Sequence, residues 1–458
     1  MSLYRTTTRL FLDSPERIPI AGFLALITVG TGLLLIPAAS RSGSISFVDA
    51  LFTATSASCV TGLIVVDTGA HFTPFGQMVI LGLIQTGGLG IMTMSTLFLL
   101  MAGKRLSLAG RTVIQDTFTR SGKHSPVQIL KHVLLFTIVM EACGAVVLFF
   151  CYLPGARGLS QALWQAVFHS ISAFCNAGFS LFTDSLTRFQ TQWAGSLTVC
   201  VLIVAGGIGF LVVAELWSHP PLNRRSWRRL SLHSKLVLTS TALLILAGTA
   251  AILFMERSNT LSALSGPQRV LAAFFQSITT RTAGFNTLPI GAMASETLFV
   301  IIMLMFIGAS PGSCGGGIKT TTFATIVLLG AARLKGRDHP LAYHRKIPES
   351  SVAKAITVAT LSLLVIVSGT LLLTMSELGA VSRLQSQGAF FELFFETVSA
   401  FATVGLSMGA TEGLSASGKL IVAAVMFIGR LGPLVLAVAV SRKHGPRFTY
   451  AEEKVMIG

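Results

Sequence analysis

Four short segments of this chain combine residue types that could coordinate a dehydrated cation: FTATSASCVTGL (52–63), FHSISAFCNAGF (168–179), FQSITTRTAGF (275–285) and FETVSAFATVGL (395–406). Each opens on Phe, runs through Ser, Thr and Ala, and closes on Gly62, Gly178, Gly284 or Gly405. The Phe-to-Gly offset is ten residues in three copies and nine in the third. A bare monovalent cation in a low-dielectric interior costs on the order of tens of kcal/mol unless oxygen ligands replace its water. Backbone carbonyls of Val60, Thr61 and Gly62, of Asn176, Ala177 and Gly178, of Thr282, Ala283 and Gly284, and of Thr403, Val404 and Gly405 can supply those ligands. Gly permits the backbone angles that turn carbonyls to one side. The glycines are separated by 116, 106 and 121 residues, so the chain reads as four equivalent blocks able to close around one axis. A ring of four backbone-rich loops is the geometry of a selectivity filter.

A second set of motifs follows the first: QTGGLGIM (85–92), VAGGIGFL (204–211), FIGASPGS (306–313) and FIGRLGPL (427–434). Their small residues suit close helix packing. The third copy opens into GASPGSCGGGIKTTT, with five glycines and a proline over Gly308, Ala309, Ser310, Pro311, Gly312, Ser313, Cys314, Gly315, Gly316 and Gly317. Each Gly costs about 1 kcal/mol of helix relative to Ala, so a helix must break there. Gly312 to Thr320 also approximates a phosphate-binding loop, but Ile318 separates the last Gly from Lys319 and no βαβ pattern surrounds it. A flexible intramembrane loop that gates a pore is the better reading. The fourth copy places Arg430 where the others have Gly88, Gly207 and Ala309. A charge in mid-membrane is a functional hypothesis by default. Arg430 is expected either to face the pore or to pair structurally, with a carboxylate such as Glu141 or with helix C-terminal carbonyls. Asp67, Asp184 and Glu412 follow three of the segments and read as outer-vestibule or solvated carboxylates, and His169 and Glu396 as packing or capping partners. No Ser-His-Asp order, HExxH motif or paired polar carboxylates indicates an enzyme.

The elements that must position these residues are membrane helices. The chain has 458 residues, 52% hydrophobic and 11% charged, against roughly a quarter charged in soluble proteins. Its mean hydropathy is +0.74. First apolar stretches (M1) lie at 18–38, 130–153, 235–255 and 353–376, and second stretches (M2) at 75–101, 193–217, 296–330 and 417–440. Most are near the ~20 residues that cross hydrocarbon. The fold class is therefore all-α integral membrane: eight transmembrane helices in four M1–P–M2 repeats, each P a half-helix and returning loop around a central pore. The expected divisions are a cytoplasmic segment 1–17, repeats at 18–103, 104–219, 220–335 and 336–445, and a cytoplasmic tail 446–458. The net charge of +16 is concentrated at 104–131, 224–235, 333–354 and 442–454, always after an M2. Under the positive-inside rule these are cytoplasmic loops, with both termini inside, rather than a nucleic-acid surface. The six cysteines show no CxxC spacing and indicate neither a zinc site nor a disulfide framework.

The filter sequences CVTGL, CNAGF, RTAGFN and ATVGL, the GASPGSCGGGIKT loop and Arg430 together resemble the superfamily of K+ transporters that contains TrkH, KtrB and HKT. The resemblance covers essentially the whole chain. Eight spans without an extra N-terminal pair, and the C-terminal EEKVMIG, resemble its KtrB-type members. It implies a K+-channel-like pseudo-fourfold fold, K+ as the transported ion, and a homodimer in the bacterial plasma membrane. It also implies a cytosolic ring of KtrA-like regulator-of-conductance subunits, on which adenine nucleotide is bound, with no cofactor on this chain. The basic loops fit such a partner or anionic lipid head groups. In that superfamily Ser at the first glycine goes with Na+ selectivity; here the residue is Gly62. One Gly per loop predicts looser discrimination than a K+ channel. The competing readings are an ion-coupled secondary transporter with broken helices and a membrane ATPase built on 312–320.

Overall fold

The computed structural model describes residues 17–90, 126–218, 220, 223–379, 381, 382 and 386–433. The N-terminal segment, most of the 104–131 cluster, the M2 ends at 91–101 and 434–440 and the C-terminal tail lie outside the described residues.

Apart from helices of a turn or two, the first stretch of chain forms α1 (Arg17–Leu34), α2 (Phe47–Ser58) and α3 (Pro74–Gly88). The second forms α4 (Pro126–Tyr152), α5 (Leu159–Phe174), α6 (Trp193–Ile208) and α7 (Phe210–Ser218). The third forms α8 (Leu232–Met255), α9 (Gly266–Thr279), α10 (Ser295–Phe306) and α11 (Thr320–Leu334). The fourth forms α12 (Glu349–Glu377), α13 (Ala389–Ala402) and α14 (Ala416–Leu431). The only strands among the described residues are the two-residue pair Leu341–Ala342 and Arg345–Lys346, which join α11 to α12 as a hairpin.

Among the described residues, three segments are long and apolar enough to cross a membrane as single helices: Lys131–Gly155, Leu232–Met255 and Glu349–Glu377. Their outward faces carry exposed Ile138, Val146, Phe150, Leu243, Leu246, Leu364 and Leu371, side chains that suit lipid rather than water. Helix starts are set by local chemistry. Ser46, Thr73, Ser231 and Ser415 each accept a backbone N–H three residues on, at 3.1 to 3.3 Å. Pro74 at the first turn of α3 needs no partner for its nitrogen.

The M2 segments depart from the expected continuous spans. The second is bent by 100° between α6 and α7, and the third is interrupted between α10 and α11. In the first and fourth, the described helices α3 and α14 stop within two residues of a positive-φ glycine. Gly90, Gly209 and Gly432 have φ of +83°, +96° and +85°, a left-handed conformation that an α-helix does not contain. The break expected only at 308–317 is thus matched by a second one in the second M2, at Gly209.

Packing is cyclic. Helices α2, α5, α9 and α13 lie against α1, α4, α8 and α12 of their own stretch. Each also meets the M2 helix of the preceding stretch: α3 packs on α5, α6 on α9, α10 on α13, and α14 returns to α2. The Asp49–Lys419 ion pair, 2.7 Å, clasps that last junction. Phe52, Phe168, Phe275 and Phe395, which open the repeated segments, are at most 1% exposed and root the four central helices.

Candidate functional site

Each central helix ends in a loop with one backbone pattern. Val60, Asn176, Thr282 and Thr403 have φ of +57°, +61°, +76° and +51°. Two residues later Gly62, Gly178, Gly284 and Gly405 have φ of +91°, +70°, +80° and +89°. The residue between them is not left-handed in any copy. Alternating hands turn successive carbonyls toward the same side. Left-handed Val or Thr is unusual and costs on the order of 1–3 kcal/mol, so the surroundings must enforce it.

The four loops touch in a closed cycle. The space a Cβ would need at Gly62 is filled by the carbonyl of Ala177, at Gly178 by that of Ala283, at Gly284 by that of Val404, and at Gly405 by that of Thr61. The chain order 62, 178, 284, 405 is therefore also the order around the ring. A side chain at any of the four would overlap the next loop as well as strain its own backbone.

Hydroxyls in the central helices hold the loops in place, and residue type alone did not single them out. Ser56 and Ser399 accept Gly62 N and Gly405 N, both at 3.1 Å. Ser172 and Thr279 instead donate to Phe179 O (2.8 Å) and Phe285 O (2.6 Å). Main-chain carbonyls of the same four residues accept Thr61 N, Val404 N, Ala177 N and Ala283 N at 2.7 to 3.0 Å. The signal was present as a Ser or Thr six residues before the glycine, five in the third copy. After the glycine, Leu63, Phe179, Phe285 and Leu406 are buried and pin the outgoing chain.

His169 and Glu396 brace the outgoing loops from behind. His169 Nε2 meets Ser180 Oγ at 2.9 Å and Leu181 N at 3.3 Å. Glu396 accepts Thr411 Oγ1 at 2.7 Å, Met408 N at 3.2 Å, and Ser407 Oγ. Of the outer carboxylates, Asp67 caps a short helix through Ala70 N (2.6 Å). Asp184 pairs with Arg188 at 2.5 Å. Partial burial would raise the Asp184 carboxyl, but hydrogen bonds from Arg188 and Thr187 outweigh it and hold it below the usual range. Glu412 lies in the turn Thr411–Gly413.

The interrupted third M2 passes under this ring. Gly316 N donates to Thr403 Oγ1 at 3.0 Å, and a Cβ on Gly315 or Gly316 would strike Thr282 or Thr403. Beside them, the Asn176 amide is satisfied on both ends when its oxygen accepts from Thr282 Oγ1 (3.1 Å) and its nitrogen donates to Phe174 O (3.1 Å) and Ile203 O (3.2 Å). The loop is tied sideways to the second M2: Ser310 N to Gly207 O (3.0 Å), Cys314 N to Gly206 O (3.1 Å) and Phe210 N to Gly312 O (3.0 Å). Its neck is closed by Thr320 N to Ala309 O, 3.2 Å, and Ser313 Oγ to Ser310 O, 2.6 Å. Pro311 sits at its partly exposed turn, and Gly317 is left-handed, φ +66°.

Two cations hold the loop. Lys319 Nζ donates to Gly315 O at 2.7 Å and leans toward Gly316 O at 3.5 Å. Arg430, 7% exposed, donates from Nη1 to Cys314 O and from Nη2 to Gly87 O. Arg430 thus links the loop to α3 through carbonyls. Glu141 is not its partner and accepts instead from Gln85 Nε2 at 3.2 Å. The glycines beside these breaks do pack closely, as Gly87, Gly206 and Gly429 lie against the carbonyls of Ser58, Phe174 and Phe401 that end the central helices.

The model of the TrkH family, described as a cation transport protein, matches residues 11–448. The chain is similar to the Ktr system potassium uptake protein B of Bacillus subtilis (strain 168), 38% identical over 97% of each chain. It is also similar to the protein of the same name from Vibrio alginolyticus, 40% identical over 96% of this chain and 94% of the other. In fold it matches the crystal structure of the potassium transporter TrkH from Vibrio parahaemolyticus, TM-score 0.73 and 20% identity, over 93% of this chain and 85% of that one. These relatives are transport proteins, not enzymes, and the apolar helices make this a multi-pass membrane protein. The chain belongs to the TrkH family of cation transport proteins.

Proposed function

We propose that this chain takes up K+ across the bacterial plasma membrane, channel-like, through the ring formed by Val60 to Gly62, Asn176 to Gly178, Thr282 to Gly284 and Thr403 to Gly405. The observation that carries the reading is the closed cycle of glycine-to-carbonyl contacts, because a single axis lined by carbonyls replaces the hydration shell of a monovalent cation. The central helices end at this ring, so their negative dipole ends favour positive charge there. Membrane potential, about 2.3 kcal/mol per charge per 100 mV, drives inward flux without nucleotide hydrolysis by this chain. The cyclic packing supports eight spans arranged as four M1–P–M2 repeats about that axis, with the M2 spans broken.

The segment 308–317, tied down by Lys319 and Arg430, is the gate: it lies against Thr282 and Thr403 immediately below the ring. A cytosolic KtrA-like ring that binds adenine nucleotide controls it from the basic loops, and the channel works as a homodimer with both termini in the cytoplasm. The relatives named for Ktr potassium uptake support this reading. The test is K+ uptake in cells lacking their own transporters, with Gly62 and Gly284 each replaced by a larger residue. Loss of uptake or of K+ preference in folded protein supports the ring; wild-type behaviour refutes it.

The broken M2 helices favour one second reading, an ion-coupled secondary transporter. Uptake at a clamped membrane potential separates the two. Flux that persists when Na+ and pH gradients are abolished belongs to a channel, and flux that stops belongs to a coupled carrier.

A further inference from the structure

The residue after each opening Phe is Thr53, His169, Gln276 or Glu396, and all four are buried in the central helices. In the second and fourth repeats this residue forms the same bracket. His169 Nδ1 meets Gln165 O at 2.7 Å, which puts the ring proton there. Nε2 is then the acceptor for Ser180 Oγ (2.9 Å) and Leu181 N (3.3 Å). Glu396 accepts in the same way from Ser407 Oγ and from Met408 N at 3.2 Å. Ser180 and Ser407 each stand two residues after a ring glycine. Each also accepts the backbone N–H two residues further on, Phe182 N at 3.0 Å and Gly409 N at 2.9 Å.

The first and third repeats lack this bracket. Thr53 Oγ1 and both polar atoms of the Gln276 amide have no hydrogen-bond partner among the described residues. Ile64 stands at the place of Ser180 in the first repeat and has no polar side-chain atom to offer. Asn286 stands there in the third and is tied to the second repeat instead: its N donates to Ser185 Oγ (3.3 Å) and its O accepts from Leu186 N (3.1 Å). The third segment is one residue short, so Gln276 and its outgoing loop do not share the register of the other copies. Chain order is also ring order, so the bracketed loops two and four face each other across the axis, as do the unbracketed loops one and three. Support of the ring is therefore twofold, although its backbone is fourfold.

We propose that His169 and Glu396 are the positioning residues on which preference for K+ over Na+ depends, because they hold one opposite pair of loops at a fixed separation. The inference rests on the ring being the ion path. Carbonyls across a ring coordinate the smaller Na+ well only by closing inward, and Na+ is excluded to the extent that this closure is resisted. Loops two and four resist it through hydrogen bonds to their own central helices. Loops one and three follow the ion and add little discrimination.

The test is Rb+ and Na+ uptake by the full chain in proteoliposomes, each as the only permeant cation, with thermal stability measured on the same preparations. His169→Met and Glu396→Met remove the bracket, and the Rb+-to-Na+ uptake ratio is expected to fall about tenfold in each. His169→Gln and Glu396→Gln keep an acceptor oxygen at similar reach and should restore most of the ratio. Gln276→Met and Thr53→Val remove polar atoms that hold nothing, and should leave it unchanged. If the Met variants fail to fold, Ser180→Ala and Ser407→Ala decide, with an expected fall of about threefold. An unchanged ratio in the folded bracket variants, an equal fall in Gln276→Met, or Gln variants as poor as Met overturns the inference. Gly284→Ala separates the two readings. Uptake that survives it with Rb+ preference intact overturns the ring and this inference together, whereas its loss beside unchanged ratios in the bracket variants overturns this inference alone.

Discussion

Replacing Arg430 by Gln removes the link between the intramembrane loop and α3 while keeping a shorter, uncharged polar side chain. Arg430 makes two charge-assisted bonds, to Cys314 O and to Gly87 O. Hydrogen bonds from charged groups contribute about 1.5–3 kcal/mol each. Part of that is offset, because Gln does not carry the desolvation cost of a buried guanidinium and retains one amide that can serve one carbonyl. A net loss of about 1.4–3 kcal/mol from the loop-closed state would raise the open-to-closed ratio ten- to a hundredfold. The loop keeps its other anchors at Gly206, Gly207, Thr403 and Lys319, so the variant should fold. The assay is Rb+ uptake into proteoliposomes under an imposed inward-driving potential, with thermal stability measured on the same preparation. Faster basal uptake with a melting temperature near wild type is expected. A folded Arg430→Gln protein whose uptake is unchanged or slower would refute the reasoning that this side chain holds the gate shut.

Further expectations follow from the same contacts. Gly284→Ala places a Cβ against Val404 O at φ +80°, and should abolish uptake in protein that still reaches the membrane. Ser56→Ala and Ser399→Ala each leave a ring glycine N–H without its acceptor, a loss of about 1–3 kcal/mol; competition uptake should show weaker K+ preference over Na+, with total flux retained. Thr403→Val removes the acceptor for Gly316 N, and deletion of 312–317 removes the loop turn itself; both should raise basal flux, the deletion more strongly, in the same liposome assay.

The repeated segments are legible in sequence because their glycines and apolar flanks have fixed places in every copy, and those places became the ring contacts and the buried anchors. The M2 breaks are only partly legible. The two or three glycines at 87–90, 206–209 and 429–432 cost about 1 kcal/mol each in a helix and are compatible with a continuous apolar span, whereas five glycines and a proline in ten residues are not. The hydroxyls of Ser56, Ser172, Thr279 and Ser399 are hidden among neighbours of the same type. For Arg430, carbonyl partners leave no trace in residue identity, so the charge pointed to a special position without naming its contacts.

The most direct measurement of the central claim is anomalous diffraction from the protein crystallised with Rb+ in place of K+. Conduction through the four-loop ring predicts Rb+ peaks on the axis at the level of the Thr61, Ala177, Ala283 and Val404 carbonyls, displaced by added K+ and absent in Gly284→Ala. Rb+ bound elsewhere in the bundle, with the ring empty in wild-type protein that still transports, would contradict it.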